Sequence, residues 1–178
     1  MENKEIIEPI RGEAKRIEYL CLWAAERHYA AETPWYYLNY WLGIPSTISA
    51  ALAGAIAASK QPYSEWIAAG IALFAAVLTS LLTFLDPYKK ASIHHTLAKN
   101  YESLYHAAGF FLRFESVKEN TDPQEIEKKL YALVTRFNEL LQSSPAIPGH
   151  AYKTAEHNIK GGEGEVLRVH EDQSHTGQ

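Results

Sequence analysis

Hydrophobic and polar positions divide this chain into two kinds of segment. From Leu38 to Ser59, and again from Trp66 to Leu85, there is no Asp, Glu, Lys, Arg or His, and only Lys60-Gln61-Pro62-Tyr63-Ser64-Glu65 lies between. A helix rises about 1.5 Å per residue, so each stretch can cross a hydrocarbon layer of about 30 Å. The second stretch distributes Ile67, Ile71, Leu73, Phe74, Val77, Leu78, Leu81 and Phe84 around its whole circumference and keeps no polar face, unlike a surface helix. Trp35, Tyr36, Tyr37, Tyr40 and Trp41 stand at one mouth, Tyr63 and Trp66 at the other, where a bilayer concentrates aromatic side chains. The pattern predicts transmembrane helices at 38–59 and 66–85. The competing reading, two buried helices of a soluble all-α domain, draws on the small residues of the first stretch, Ser46 to Ala55.

Elsewhere the apolar positions recur with helical spacing beside polar faces. Gly12 to Glu32 reads as an amphipathic helix with Ile17, Leu20, Ala24 and Ala31 on one face, and Glu18, Glu26 and Arg27 elsewhere. Thr33-Pro34 predicts its end, because a residue before proline avoids the α region, and Trp35 to Tyr40 then reads as an interfacial linker. Pro45 falls near the start of the first span, where it is tolerated. Asp86-Pro87 is a helix-start signal, aspartate capping and proline at the first helical position. From there Leu97, Tyr101, Leu104, Ala108 and Phe111 form a heptad-like seam on a helix from Pro87 to about Glu115, about 43 Å long. Thr121-Asp122-Pro123-Gln124-Glu125 repeats the start signal, and Ile126, Leu130, Leu133, Phe137 and Leu140 follow with the same spacing as far as Ser143-Ser144-Pro145. Two matching seams predict antiparallel packing, with the amino-terminal helix as third partner. Beyond Pro145 the chain turns polar, and its last fifteen residues are expected to be disordered.

The fold expected is therefore all-α, a transmembrane two-helix hairpin plus a cytoplasmic antiparallel helical bundle. Its parts are an amino-terminal helix (1–37), the hairpin (38–85), a helical hairpin (86–144) and a carboxy-terminal segment (145–178).

Composition changes this picture little. The 178 residues leave room for one modest domain beside the hairpin. A net charge of −4 offers no global attraction to nucleic acid. A single cysteine, Cys21, excludes an intramolecular disulfide and a cysteine-rich zinc site, and among Leu20, Leu22 and Trp23 it is expected to be a buried, inert thiol. The first 37 residues carry Lys4, Arg11, Lys15, Arg16 and Arg27 among acids, without the apolar core of a signal peptide. The turn carries only Lys60, whereas Lys89, Lys90 and Lys99 follow the second span, so both termini are expected in the cytoplasm.

Candidate chemistry is sparse. There is no glycine-rich phosphate loop, no His-Glu-x-x-His and no Gly-x-Ser-x-Gly, and no catalytic residue, metal site or cofactor is expected. His95, Lys99, Glu102 and His106 form one helical stripe, a mixed-charge solvated face more than a set of metal ligands. Lys89, Lys90, His94, His95 and Lys99 are candidates to meet lipid headgroups or an anionic ligand, the headgroup reading being the ordinary one for basic residues beside a span. The rows Ala50-Gly54-Ala58 and Ala68-Ala72-Ala76-Ser80 let helix backbones approach closely, within the hairpin or between chains, so Ala50, Gly54, Ala58, Ala72, Ala76 and Ser80 are the candidate packing positions. Of the uncharged polar residues in the spans, Ser49, Thr79 and Thr83 are candidates to line a pore. Bonding to the helix backbone is their commoner role. No ionisable residue lies inside either span, which argues against a proton relay or coupled transporter.

Several short motifs, in order, carry a resemblance. They are Leu42-Gly43-Ile44-Pro45-Ser46-Thr47, then Leu78-Thr79-Ser80-Leu81-Leu82-Thr83-Phe84-Leu85-Asp86-Pro87, Lys90-Ala91-x-x-His94, Tyr101-Glu102-x-Leu104, and Ser144-Pro145-Ala146-Ile147-Pro148 with Tyr152 behind it. Over residues 10–157 the chain resembles SLATT domain proteins, bacterial two-transmembrane proteins with a cytoplasmic helical extension. The resemblance implies an effector of an anti-phage or conflict system in the bacterial inner membrane. Such an effector oligomerises to form a pore or disrupt the membrane, under a nucleotide second messenger or a sensor protein. It supplies no catalytic residues. The alternative function is a membrane scaffold that makes no pore and recruits partners through its bundle.

Overall fold

Three prolines, Pro9, Pro34 and Pro45, lie inside a single helix in the computed structural model, which describes residues 2–59, 61–116 and 122–162, with side chains from Ile7 onward. The elements are α1 (Glu2–Ala58), α2 (Ser64–Leu85), α3 (Pro87–Phe110), a π-helical turn (Phe111–Glu115), α4 (Pro123–Ser143) and α5 (Gly149–Gly161). No strand occurs among the described residues. The stop expected at Thr33-Pro34 does not occur, and Trp35 to Tyr40 is helical instead of a linker. A proline removes one backbone bond and crowds one carbonyl, and the pre-proline preference is only a bias. Long helix-forming runs on both sides of Pro34 outweigh that local loss.

Two units make up the chain, Met1–Ala31 with His94–Gln178, and Glu32–Ile93. Both boundaries fall within helices, the first in α1 and the second in α3.

In the first unit, α1, α3 and α4 share the core. Ile17, Cys21 and Ala25 pack with Leu97, Tyr101, Leu104, Ala108 and Leu140. A second cluster joins Ile10 and Ala14 to Phe111, Leu112 and Ile126. Both predicted seams are present: Leu97, Tyr101, Leu104 and Ala108 of α3 and Phe111 of the π-helical turn are buried, while on α4 Ile126 and Leu140 are buried and Leu130, Leu133 and Phe137 are half-buried against the core. Each large side chain so buried contributes about 1.5–3 kcal/mol before entropy is counted. Of the expected α1 face, Ile17 and Ala31 are buried, whereas Leu20 and Ala24 are half-buried and Cys21 and Ala25, one residue later, are buried in their place. Glu26, expected off that face, is fully buried.

The predicted caps form. Asp122 Oδ1 accepts from Gln124 N at 3.1 Å with Pro123 behind it, a cap worth about 1 kcal/mol. Glu125, placed to reach back to the cap, instead lies 3.6 Å from Lys129 Nζ. Asp86 ends α2 in the left-handed region (φ 44°), a conformation that aspartate tolerates, and its Oδ1 accepts from Lys89 N at 3.3 Å to start α3.

Helix α5 falls where the hydropathy pattern predicts only a polar segment. Ala151 packs with Ala30 and Ala31 beside Ile147, and Ala155 is buried one turn later. A stripe made of alanine adds so little hydropathy that the segment reads as polar. Gly162, at φ 72°, closes the helix by donating its N–H to Asn158 and Ile159 carbonyls. The disorder expected for the last fifteen residues lies outside the described residues, as do Lys60 and Thr121.

Candidate functional site

Both apolar stretches stay bare within the chain. Two helical segments are long and apolar enough to cross a membrane, and only 11% of each apolar window is buried. Leu73 is 68% exposed and Phe84 87%. A core helix of a soluble domain would bury such side chains.

In the second unit, α1 and α2 meet at Ser46, Ala53, Ala68 and Ala75, all buried, one heptad apart on each helix. Ser46 Oγ lies 3.2 Å from the Ala75 carbonyl and 2.6 Å from Thr79 Oγ1, and Thr79 donates to the Ala75 carbonyl at 2.9 Å. Alanine at the contact lets the backbones approach, and the hydroxyls find partners without water.

Of the predicted packing rows, only Ala68 belongs to that contact. Ala50, Gly54, Ala58, Ala72, Ala76 and Ser80 are all exposed. Ala50, Gly54, Ala72 and Ala76 instead line an open groove of about 640 Å³, shared with Ala53, Ala57, Ala68, Ala69, Ala75, Thr79 and Glu65. Ala58 and Ser80 lie outside its lining. A Cβ placed on Gly54 would meet nothing within 4 Å.

The span hydroxyls mostly turn back onto their own helices. Thr47 donates to Gly43, Ser80 to Ala76 and Thr83 to Thr79 carbonyls, at 2.9, 2.7 and 2.9 Å. Of the candidate pore-lining residues, Thr79 faces the groove, Thr83 is exposed and Ser49 is half-buried.

The basic candidates divide among different partners. Lys90 Nζ lies 4.4 Å from the Trp35 ring centroid, a cation–π contact, and Lys89 is exposed. His94 is buried, its Nδ1 2.9 Å from His28 Nδ1. Lys99 Nζ donates to Glu102 Oε2 at 3.0 Å and lies over Tyr29, while His95 meets Tyr29 edge-on.

Around Glu102 these residues form a network that the sequence displays only as a stripe. Tyr29 donates to Glu102 Oε2 at 2.6 Å, and His106 Nε2 stands 4.0 Å from Oε1. Burial raises the carboxyl's affinity for a proton, but the bonds from Tyr29 and Lys99 outweigh it and hold Glu102 below the usual range. Lys99 is pushed up to about 12 by Tyr29 and Glu102. Burial, with the bond to Glu102, pushes Tyr29 up to about 12.

His28 is absent from the residues that the sequence singles out. It continues the buried α1 seam, Ile10, Ala14, Ile17, Cys21, one heptad beyond Cys21, and that register is the signal that could find it. Burial, reinforced by the neighbouring His94, pushes His28 down to about 4. Burial pushes the Cys21 thiol up to about 12, so it carries no reactive thiolate at neutral pH. Arg27 lies between two rings, 4.4 Å from the Tyr152 centroid and 5.4 Å from that of Trp23, fastening α5 to α1. Among the described residues, no three His, Cys, Asp or Glu side chains gather as a metal-binding group.

No protein-family model, no curated protein and no solved structure matches this chain.

Proposed function

We propose that this chain is a membrane effector. Its transmembrane hairpin of 38–59 and 66–85 assembles with other copies in the bacterial inner membrane to open a pore or breach the bilayer. Both termini lie in the cytoplasm, where α1, α3 and α4 form an antiparallel bundle that takes the activating signal. The resemblance to SLATT domain proteins supplies the anti-phage or conflict setting, with a nucleotide second messenger or a sensor protein as activator.

The observation that carries this reading is the groove. Two helices leave no closed ring around water, so a pore needs helices from several chains. The α1–α2 contact uses Ser46, Ala53, Ala68 and Ala75, and leaves Ala50, Gly54, Ala72 and Ala76 as an unfilled alanine-lined surface. In lipid, close packing at small residues joins helices where no hydrophobic force does.

The test is expression in bacterial cells with growth and entry of a membrane-impermeant dye followed together. Growth arrest with dye entry supports the effector. Stable insertion with normal growth and no dye entry, with or without the activating partner, overturns it in favour of a scaffold that recruits partners through the bundle.

A further inference from the structure

The basic residues that follow the second span do not act as a set. His94 is buried, and Lys99 and His95 are engaged with Glu102 and Tyr29. Lys89 and Lys90 are exposed, and among the described residues neither meets a carboxylate in an ion pair. Lys90 Nζ sits over the Trp35 ring, which sets both lysines at the mouth of the first span, within the second unit. Tyr36, Tyr40 and Tyr88 are exposed there, and Tyr88 is near enough to Tyr36 to act on it electrostatically. The Tyr40 hydroxyl donates to that of Tyr36 across 3.5 Å, so the Tyr36 hydrogen is left for an acceptor outside the protein. Below the tyrosines a groove of about 370 Å³ follows α1 from Asn39 and Tyr40 past Gly43 and Ile44 to Thr47 and Ile48. Thr47 spends its hydrogen on the Gly43 carbonyl, which keeps the deep end of the groove apolar. Two carboxylates stand near. Asp86 Oδ1 caps α3 at Lys89 N, and Glu32 lies about 6 Å before Tyr36 along α1, on the side away from the span, with contacts of its own.

We propose that this mouth binds one anionic phospholipid, its headgroup phosphate on Lys89, Lys90 and the Tyr36 hydroxyl and an acyl chain in the groove along α1. The site rests on the transmembrane reading of 38–59 and 66–85 and is independent of pore formation. A phosphate is an acceptor that two ammonium groups and a phenol can share, and bonds from charged donors are the stronger ones. Trp35 holds the Lys90 ammonium at the headgroup level while the lysine stem stays against apolar surface. From Asn39 to Ile48 the helix rises about 14 Å, close to one leaflet's half of a hydrocarbon core of about 30 Å. A soluble anion would meet the lysines but would leave that groove empty.

Trp35, under Lys90, and Trp41, beside Tyr40 and Ile44, report the site. The experiment reads quenching of their fluorescence by phospholipids brominated on the chains. The full chain carrying Trp66→Phe, which removes the exposed tryptophan of the opposite mouth, is reconstituted in brominated phosphatidylglycerol with plain phosphatidylcholine, and in the converse mixture. The two curves together give the preference for the anionic lipid at the tryptophans. A preference of about fivefold is expected, the weight of one lysine beside an anionic surface, since Asp86 offsets the other. Lys89→Gln/Lys90→Gln should abolish it. Lys128→Gln/Lys153→Gln, which removes the same charge from exposed positions on α4 and α5, should leave it unchanged. Equal quenching by the two lipids before the lysines are changed, or an equal loss in both double variants, overturns the site and leaves the hairpin in the bilayer. No quenching by either lipid overturns the transmembrane reading together with the site.

Discussion

Ser46 Oγ and Thr79 Oγ1 stand 2.6 Å apart where α1 meets α2, a hydroxyl pair between the uncharged stretches of the two helices. Both hydroxyls also lie within donating distance of the Ala75 carbonyl, Ser46 at 3.2 Å and Thr79 at 2.9 Å. The pair is a polar contact between the two helices beside the buried Ala53, Ala68 and Ala75.

Ser46→Ala removes one donor and creates no clash, so a loss of about 1 kcal/mol is expected. Ser46→Leu forces a branched side chain into a site 7% exposed and should separate the helices. Thermal unfolding in micelles should rank the proteins unmodified, Ser46→Ala, then Ser46→Leu. Equal stability of all three would mean that α1 and α2 do not meet at this residue.

In the first unit, Leu104 is 5% exposed within the shared core, whereas Phe137 is half-buried at its edge. Leu104→Asp buries a charge without a partner and should cost several kcal/mol, with loss of helicity on extraction. Phe137→Asp, which can reach water, should cost less. The order is checked by circular dichroism during heating, and a reversed order would contradict the seam.

Stability should fall in two stages on acidification. His28 is held below its unfolded value, so the folded state binds fewer protons between about 6.5 and 4. Its contribution, at most about 3 kcal/mol, is complete above 6.5 and lost as pH drops through that window. Glu102 is also lowered, but for a carboxylate this adds stability that is complete above 4.5 and lost only below it. Denaturant titrations from pH 8 to 3 should show both stages, and Glu102→Gln should remove only the lower one.

What is legible in the sequence follows from side-chain volume and period. Leu97, Tyr101, Leu104, Ala108 and Phe111 are large enough, and regular enough, to mark a buried face by their spacing alone. The helix starts at Asp86 and Asp122 are equally plain, because capping chemistry is local. Alanine faces are not legible. Ala151 and Ala155 bury α5, and Ala53, Ala68 and Ala75 make the α1–α2 contact, yet none differs by hydropathy from Ala50 or Ala76, which stay exposed. Only the geometry of the pair decides which alanines touch. Pro34 misleads for a different reason: a local preference is overridden by the helix-forming sequence on both sides. His28 escapes notice because a histidine on an apolar face takes its meaning from the residue opposite, and His94 lies 66 positions away.

The central claim, that copies of this chain join through the alanine-lined groove, is tested most directly at Gly54. Nothing within 4 Å would meet a Cβ there, so Gly54→Leu leaves the single chain intact while its side chain occupies the groove. Native mass spectrometry of protein released from nanodiscs should find several copies per particle for the unmodified protein. It should find single copies, still inserted and helical, for Gly54→Leu. Single copies of the unmodified protein, or an unchanged assembly in Gly54→Leu, would contradict the claim.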